Sequence, residues 1–229
     1  MIKRTGKSGA AALLLLGVFA AVEVLAQNSS SAPQEIALGW SSREPGLVGV
    51  DASVVHSGSG AGYIRITDAS PVQHLYLNQS IRADRYHGSR IRLRGYLKYE
   101  NAREGRGQTR LLLQIEGPDG SRVGRDQMDG REITGSTDWT RHDLVLDVPA
   151  TAIIIFFGIE QSGPGQTWVD DLSLEVVDAS VPTTQPNNGV GLAPERPADA
   201  LAAIRASQNA VKLMMPVNLD FEQRLTKRP

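Results

Sequence analysis

The chain has 229 residues, a formal net charge of −1, 41% hydrophobic and 5% aromatic residues, and no cysteine. So small a charge gives no global attraction to nucleic acid or to an anionic membrane. Without a thiol, thiol catalysis, cysteine-held zinc and haem attachment are excluded, and any folded domain rests on its core or on a metal. The length suits one domain with appendages.

Residues 1–26 read as a secretory signal peptide. Lys3, Arg4 and Lys7 open it, 10–22 are apolar, and Val24 and Ala26 stand at the small-residue positions a signal peptidase needs. The apolar run is too short for a membrane span, which takes about 20 residues, and Glu23 breaks it. The expectation is export to the periplasm or the exterior, with no membrane span after cleavage. The leader carries three cations and one anion, so its loss takes the net charge from −1 to −3.

Residues 27–35 (QNSSSAPQE) read as a polar linker. From 36 to 178 the pattern is all-β: short apolar-alternating runs divided by Gly, Pro, Asp and Asn. The predicted strands are 47–55, 62–67, 74–83, 89–99, 109–116, 137–148, 152–161 and 166–177, enough for an antiparallel β-sandwich of about eight strands. Along 89–99, Ile91, Leu93, Gly95, Leu97 and Tyr99 share one face, and Arg90, Arg92, Arg94, Tyr96 and Lys98 the other. Residues 152–159 are apolar on both faces, as in a central strand whose outer side is covered. Residues 179–196 read as a second linker, 197–215 as a helix begun by Pro197 and ended by Pro216, and 216–229 as a tail or a returning strand.

Candidate sites follow from this frame. Tyr63, Tyr76, Tyr86 and Tyr96 are the surface aromatics, and Tyr96 shares its strand face with Arg92 and Arg94; a basic, aromatic-bearing face suits an anionic polysaccharide or a partner, or is simply solvated. The parity of Trp168, Leu172 and Leu174 points Trp168 and Asp170 inward, and a buried carboxylate needs a cation or several donors. His56, His74, His87 and His142 lack metal-ligand spacing, and no nucleophile elbow or phosphate loop surrounds Ser57, Ser59 or Gly163. No catalytic constellation is recognisable, so the chain reads as non-catalytic.

Several stretches, in order, carry a resemblance. They are Gly62-Tyr63-Ile64, Gln79-Ser80-Ile81, Tyr86-His87-Gly88, Arg90-Ile91-Arg92-Leu93, Asp126-Gln127-Met128, Gly135-Ser136-Thr137-Asp138-Trp139, Leu146-Asp147-Val148-Pro149 and Trp168-Val169-Asp170-Asp171-Leu172. Over about 145 residues the chain resembles carbohydrate-binding-module-like, galactose-binding-like jelly-roll domains of bacterial exported or regulator-associated proteins. The resemblance implies a jelly roll and a non-catalytic module that binds a ligand, carbohydrate foremost; the ligand-binding candidates read from the strand faces are Tyr63, Tyr76, Tyr96, Arg92 and Arg94. It also implies a structural calcium at Asp170. The opening Asn-x-x-Phe-Glu strand of such domains is missing before Trp40 and stands instead at Asn218-Leu219-Asp220-Phe221-Glu222. That segment returns to complete a sandwich, opens a further domain, or is a free tail; if it returns, Glu222 is a second calcium ligand. The alternative roles are a structural or interaction protein, meeting a partner or a second copy through residues 197–222, and a regulator-associated sensory domain. Neither has a visible DNA-binding motif.

Overall fold

The computed structural model describes residues 34–101, 105–184 and 197–223; the leader at 1–26 and most of both linkers lie outside the described residues. In chain order the strands are β1 (Gln34–Ala37), β2 (Trp40–Ser42), β3 (Val48–Asp51), β4 (Ala61–Ile66), β5 (His74–Arg82), β6 (Arg90–Glu100), β7 (Gln108–Glu116), β8 (Arg122–Asp126), β9 (Thr137–Asp147), β10 (Ile154–Ser162) and β11 (Gly165–Val177), followed by helix α1 (Ala198–Ala210). A six-stranded sheet runs β1-β2-β5-β10-β7-β8 and a five-stranded sheet β3-β4-β11-β6-β9, with antiparallel pairing throughout. This is the expected β-sandwich jelly roll.

Alternation builds the core. Leu75, Leu77 and Ile81 of β5, Leu111, Leu113 and Ile115 of β7, and Ile155, Phe157 and Ile159 of β10 face inward. They meet Ile91, Leu93, Leu97 and Tyr99 of β6 and Leu144 and Leu146 of β9. Burial pushes the Tyr99 phenol up to about 12. A buried polar chain fixes one end: Thr167 Oγ1 donates to Gln161 Oε1, and Gln161 Nε2 donates to Gly165 O.

Three strands were not foreseen. β1 and β2 are four and three residues long, and β8 (RVGRD) has a single good strand former. β1 begins inside the stretch read as a linker, where Ala37 alone is buried. Tyr86, read as a surface aromatic, is buried in the core.

The inward reading of Trp168 and Asp170 is corrected by a β-bulge. In register, Trp168 lies beside Tyr63 and Lys98, and Asp170 beside Tyr96, all on the outer face. The pairing slips between Asp170 and Ser173, with Asp171 at φ +47, so Leu172 and Leu174 fall on the opposite face from Trp168 despite equal spacing. Both outward side chains are nonetheless buried, Trp168 at 4% and Asp170 at 0% exposure, because the loop after β3 lies over them.

The helix ends at Ala210, short of the predicted 215, and Pro216 does not end it. Tertiary bonds take over: Leu213 O accepts from Arg82 N on the edge of β5 that β2 leaves open, and Val217 exchanges two hydrogen bonds with the Gln79 side chain. Gln208 Nε2 donates to Gly117 O, and Ile204 packs on Gly120, anchoring α1 on the β7–β8 turn.

Residues 218–222 then enter the sandwich, as an irregular plug and not as a strand, with Asn218 and Phe221 at φ +49 and +57. Phe221 is 1% exposed and lies 4.6 Å from the Trp40 ring. Trp40 Nε1 donates to Asn218 O, and Leu172 N donates to Leu219 O. Gly62 makes room: a Cβ there would stand 2.4 Å from the Phe221 ring.

Candidate functional site

The five side chains read as ligand-binding do not form one site. Tyr63, Tyr96, Arg92 and Arg94 lie on the outer face of the five-stranded sheet, and Tyr76 on the outer face of the six-stranded sheet.

On the five-stranded sheet the cations of β6 are paired with acids, and Arg65 of β4 donates to the neutral Gln166 Oε1. Arg90 bonds Asp147 and two carbonyls, those of Ala179 and Val181. Arg92 bonds Glu175 at 2.6 Å, Arg94 bonds Asp143 at 2.9 Å, and Lys98 lies 3.4 Å from Asp138. The cross-strand register supplies an acid opposite Arg90, Arg92 and Arg94. The aromatics are engaged too. The His56 ring stacks on Tyr96 with centroids 3.7 Å apart, Trp139 meets His56 edge-on at 5.7 Å, and Arg65 lies over Tyr63.

The loop that covers this face is held by carboxylates. Asp170 accepts from the amides of His56, Ser57 and Asp171, at 2.9, 3.1 and 2.8 Å. Burial still raises its pKa above the usual carboxylate range. Glu222 accepts from the Ser59 and Gly60 amides and from the Ser59 hydroxyl. N–H groups around a carboxylate are the arrangement of a turn cap. A calcium ion needs six to eight oxygens, and no group of three or more His, Asp or Glu that could hold a metal occurs among the described residues. Asp51 takes the indole N–H of Trp168. Burial opposes its ionisation, but the donors from Ser53, Trp168 and the Val54 amide prevail and hold its pKa at about 2. His56, Ser57 and Asp171 do converge, yet Ser57 Oγ donates to Asp171 and not to His56, so the imidazole does not stand on the hydroxyl as in a serine–histidine pair.

The six-stranded sheet differs. Two cross-strand rows define its centre, Tyr76–Glu160–Arg110 and Ser80–Phe156–Gln114–Arg125, with Asn78, Gly158 and Leu112 between them. Glycine at 158, φ +151, is required because a Cβ there would lie 2.1 Å from Leu77 O. Across this row the Tyr76 ring meets Phe156 edge-on at 6.0 Å, and His74 meets Tyr76 at 4.8 Å. His74 Nε2 lies 2.6 Å from Glu160 Oε1, and Arg110 Nη2 donates to Glu132 at 3.0 Å. Three buried atoms here have no hydrogen-bond partner among the described residues: Glu160 Oε2, Arg110 Nε and Arg125 Nε. Burial and the charge of Glu160 raise the Tyr76 pKa, against the fields of Arg125, Arg122 and Arg110. All three guanidinium groups therefore act on one phenol.

Sequence reading missed His74, Arg110, Arg125, Phe156 and Glu160 as a group. The polar alternation Gln108, Arg110, Gln114 and the polar Glu160 in an otherwise apolar strand were the available signals.

Of residues 197–222, the expected assembly surface, Gln208, Asn218 and Phe221 are buried against the chain's own sandwich, while most of α1 and Met214 and Met215 are exposed. No helix among the described residues is long and apolar enough to cross a membrane.

No family model matches the chain. It is 33% identical over 181 residues to YbfP, an uncharacterised HTH-type transcriptional regulator of Bacillus subtilis, across 79% of this chain and 54% of that protein. The chain thus spans about half the length of the curated relative it matches. Solved structures of similar fold include the C-terminal family 22 carbohydrate binding module of Clostridium thermocellum Xyn10B. It has 12% identity and a TM-score of 0.47 over 73% of this chain and 98% of that one. Another is the CBM22-1 xylan-binding domain of Paenibacillus barcinonensis Xyn10C, at 14% identity and TM-score 0.46 over 64% and 90%.

Proposed function

We propose that the chain is a non-catalytic module that binds carbohydrate on the outer face of its six-stranded sheet. The observation that carries this reading is the set of partnerless buried atoms around Tyr76: Glu160 Oε2, Arg110 Nε and Arg125 Nε. A buried polar group without a partner costs about 1–3 kcal/mol, and a side-chain shift on binding would bring these atoms to sugar hydroxyls, which both donate and accept. The rings of Tyr76, Phe156 and His74 add apolar surface beside these groups.

The test is calorimetric titration with a panel of soluble oligosaccharides. Tyr76→Ala and Glu160→Gln lower affinity about 30-fold, or roughly 2 kcal/mol, while Tyr96→Ala leaves it unchanged. Loss with Tyr96→Ala and retention with Tyr76→Ala would move the site to the other sheet.

The relation to a transcriptional regulator favours a second reading, in which the module senses a ligand for a regulatory protein. It uses the same face and differs only in what binding triggers. Export is a separate proposal, resting on the leader pattern; the mature protein then begins at Gln27.

A further inference from the structure

We infer that the glycan held on this face is acidic, with uronic acid residues whose carboxylate docks on Arg125, supported by Arg122. The inference rests on the carbohydrate-binding reading and adds the charge of the ligand.

The two faces differ in the cations they leave without an acid: on the five-stranded sheet Arg65 bonds the neutral Gln166 and lies over Tyr63, whereas on the six-stranded sheet two such arginines stand together on β8. On the five-stranded sheet Arg90, Arg92 and Arg94 each have a carboxylate, and on the six-stranded sheet Arg110 has Glu132. Arg122 and Arg125, both on β8, have no carboxylate within salt-bridge distance among the described residues. The side-chain partner of Arg125 is the neutral amide oxygen of Gln127, and its Nε–H has no acceptor. Burial, and then the neighbouring charge of Arg122, lower the Arg125 pKa, so an anion at this point would relieve both. A guanidinium presents parallel N–H groups that match the two oxygens of a carboxylate.

The rest of the face accommodates such a ligand. Glu132 and Asp129 are paired with Arg110, Glu116 accepts from Gln114, and the remaining acid, Glu160, has a side chain only 7% exposed and is bonded to His74. It stands four residues along β10 from Phe156, whose row contains Arg125, a backbone separation of about 13 Å. Glu160 Oε2, buried without a partner among the described residues, accepts a hydroxyl once binding uncovers it, while the arginine end takes the acid. The basic strand face read from the sequence is neutralised by its own register; the capacity to bind an anion lies on the opposite sheet.

The experiment is affinity electrophoresis of the full chain through polygalacturonate, alginate and glucuronoxylan, each beside its carboxyl-reduced form. Retention is at least about tenfold stronger on at least one acidic polymer than on its reduced partner. Arg125→Gln abolishes that difference but keeps the residual binding to the reduced polymer, and Tyr76→Ala abolishes both. Equal retention by acidic and reduced forms, or an acid preference that survives Arg125→Gln, overturns the inference and leaves carbohydrate binding standing. No retention by any polymer, or retention untouched by Tyr76→Ala, overturns the carbohydrate-binding reading itself. Circular dichroism melting of each variant confirms that the fold is retained.

Discussion

The two outer faces of the sandwich carry similar side chains, arginines, tyrosines and acids, and use them in opposite ways. On the five-stranded sheet Arg90, Arg92 and Arg94 each meet an acid across the ladder, Arg65 bonds Gln166, Tyr96 lies under His56, and a loop seals Trp168. On the six-stranded sheet Tyr76, Phe156, Glu160, Arg110 and Arg125 converge with polar atoms left over. Composition does not distinguish these faces. What does is which polar groups are left over: charged side chains on the six-stranded sheet (Glu160, Arg110 and Arg125), against Thr137, His142 and Gln166 on strands of the five-stranded sheet.

The comparison can be sharpened first through what both faces share. Phe221→Ala removes a fully buried ring between Trp40 and Gly62. It lowers stability in urea by about 3–5 kcal/mol, while glycan affinity at a temperature where the variant stays folded is unchanged. A changed affinity would mean that the plug shapes the binding face. The second probe is confined to the five-stranded side. The Asp51 pKa is lowered from 3.8 to about 2 in the folded chain, so its contribution to stability is full above pH 4 and is lost as pH falls toward 2. Asp51→Asn flattens the pH dependence of the melting temperature in that window, and an unaltered profile would show that the loop over Trp168 is held otherwise. The smallest effect concerns the paired arginines. A double-mutant cycle on Arg94 and Asp143 gives a coupling of about 0.2–1 kcal/mol that weakens with salt, without effect on glycan binding.

Legibility in the sequence followed the regularity of the chain. Eight strands and the two faces of β6 were readable because Ile91 to Tyr99 alternate without interruption. β8 was not, since Arg122-Val123-Gly124-Arg125-Asp126 has the composition of a turn, and one of the central site residues is on it. The bulge after Asp170 defeated simple parity, because a single extra residue reverses every side chain beyond it. Tyr76 was found as a surface aromatic, but its companions come from β7, β8 and β10, and only strand order places them together. The unusual position of Asn218-Leu219-Asp220-Phe221-Glu222 was visible in the sequence. Its form as an irregular plug against Trp40 is set by tertiary hydrogen bonds with no sequence period.

The central claim, that ligand binding belongs to the six-stranded face, is tested most directly by NMR. The isotope-labelled chain is titrated with the oligosaccharide that binds best, and amide shifts are mapped on both sheets. The account predicts shifts at Tyr76, Gln114, Arg125, Phe156 and Glu160, with Arg92, Arg94, Tyr96 and Trp168 unmoved. Shifts concentrated on Tyr63, Arg92, Arg94 and Tyr96 would contradict it.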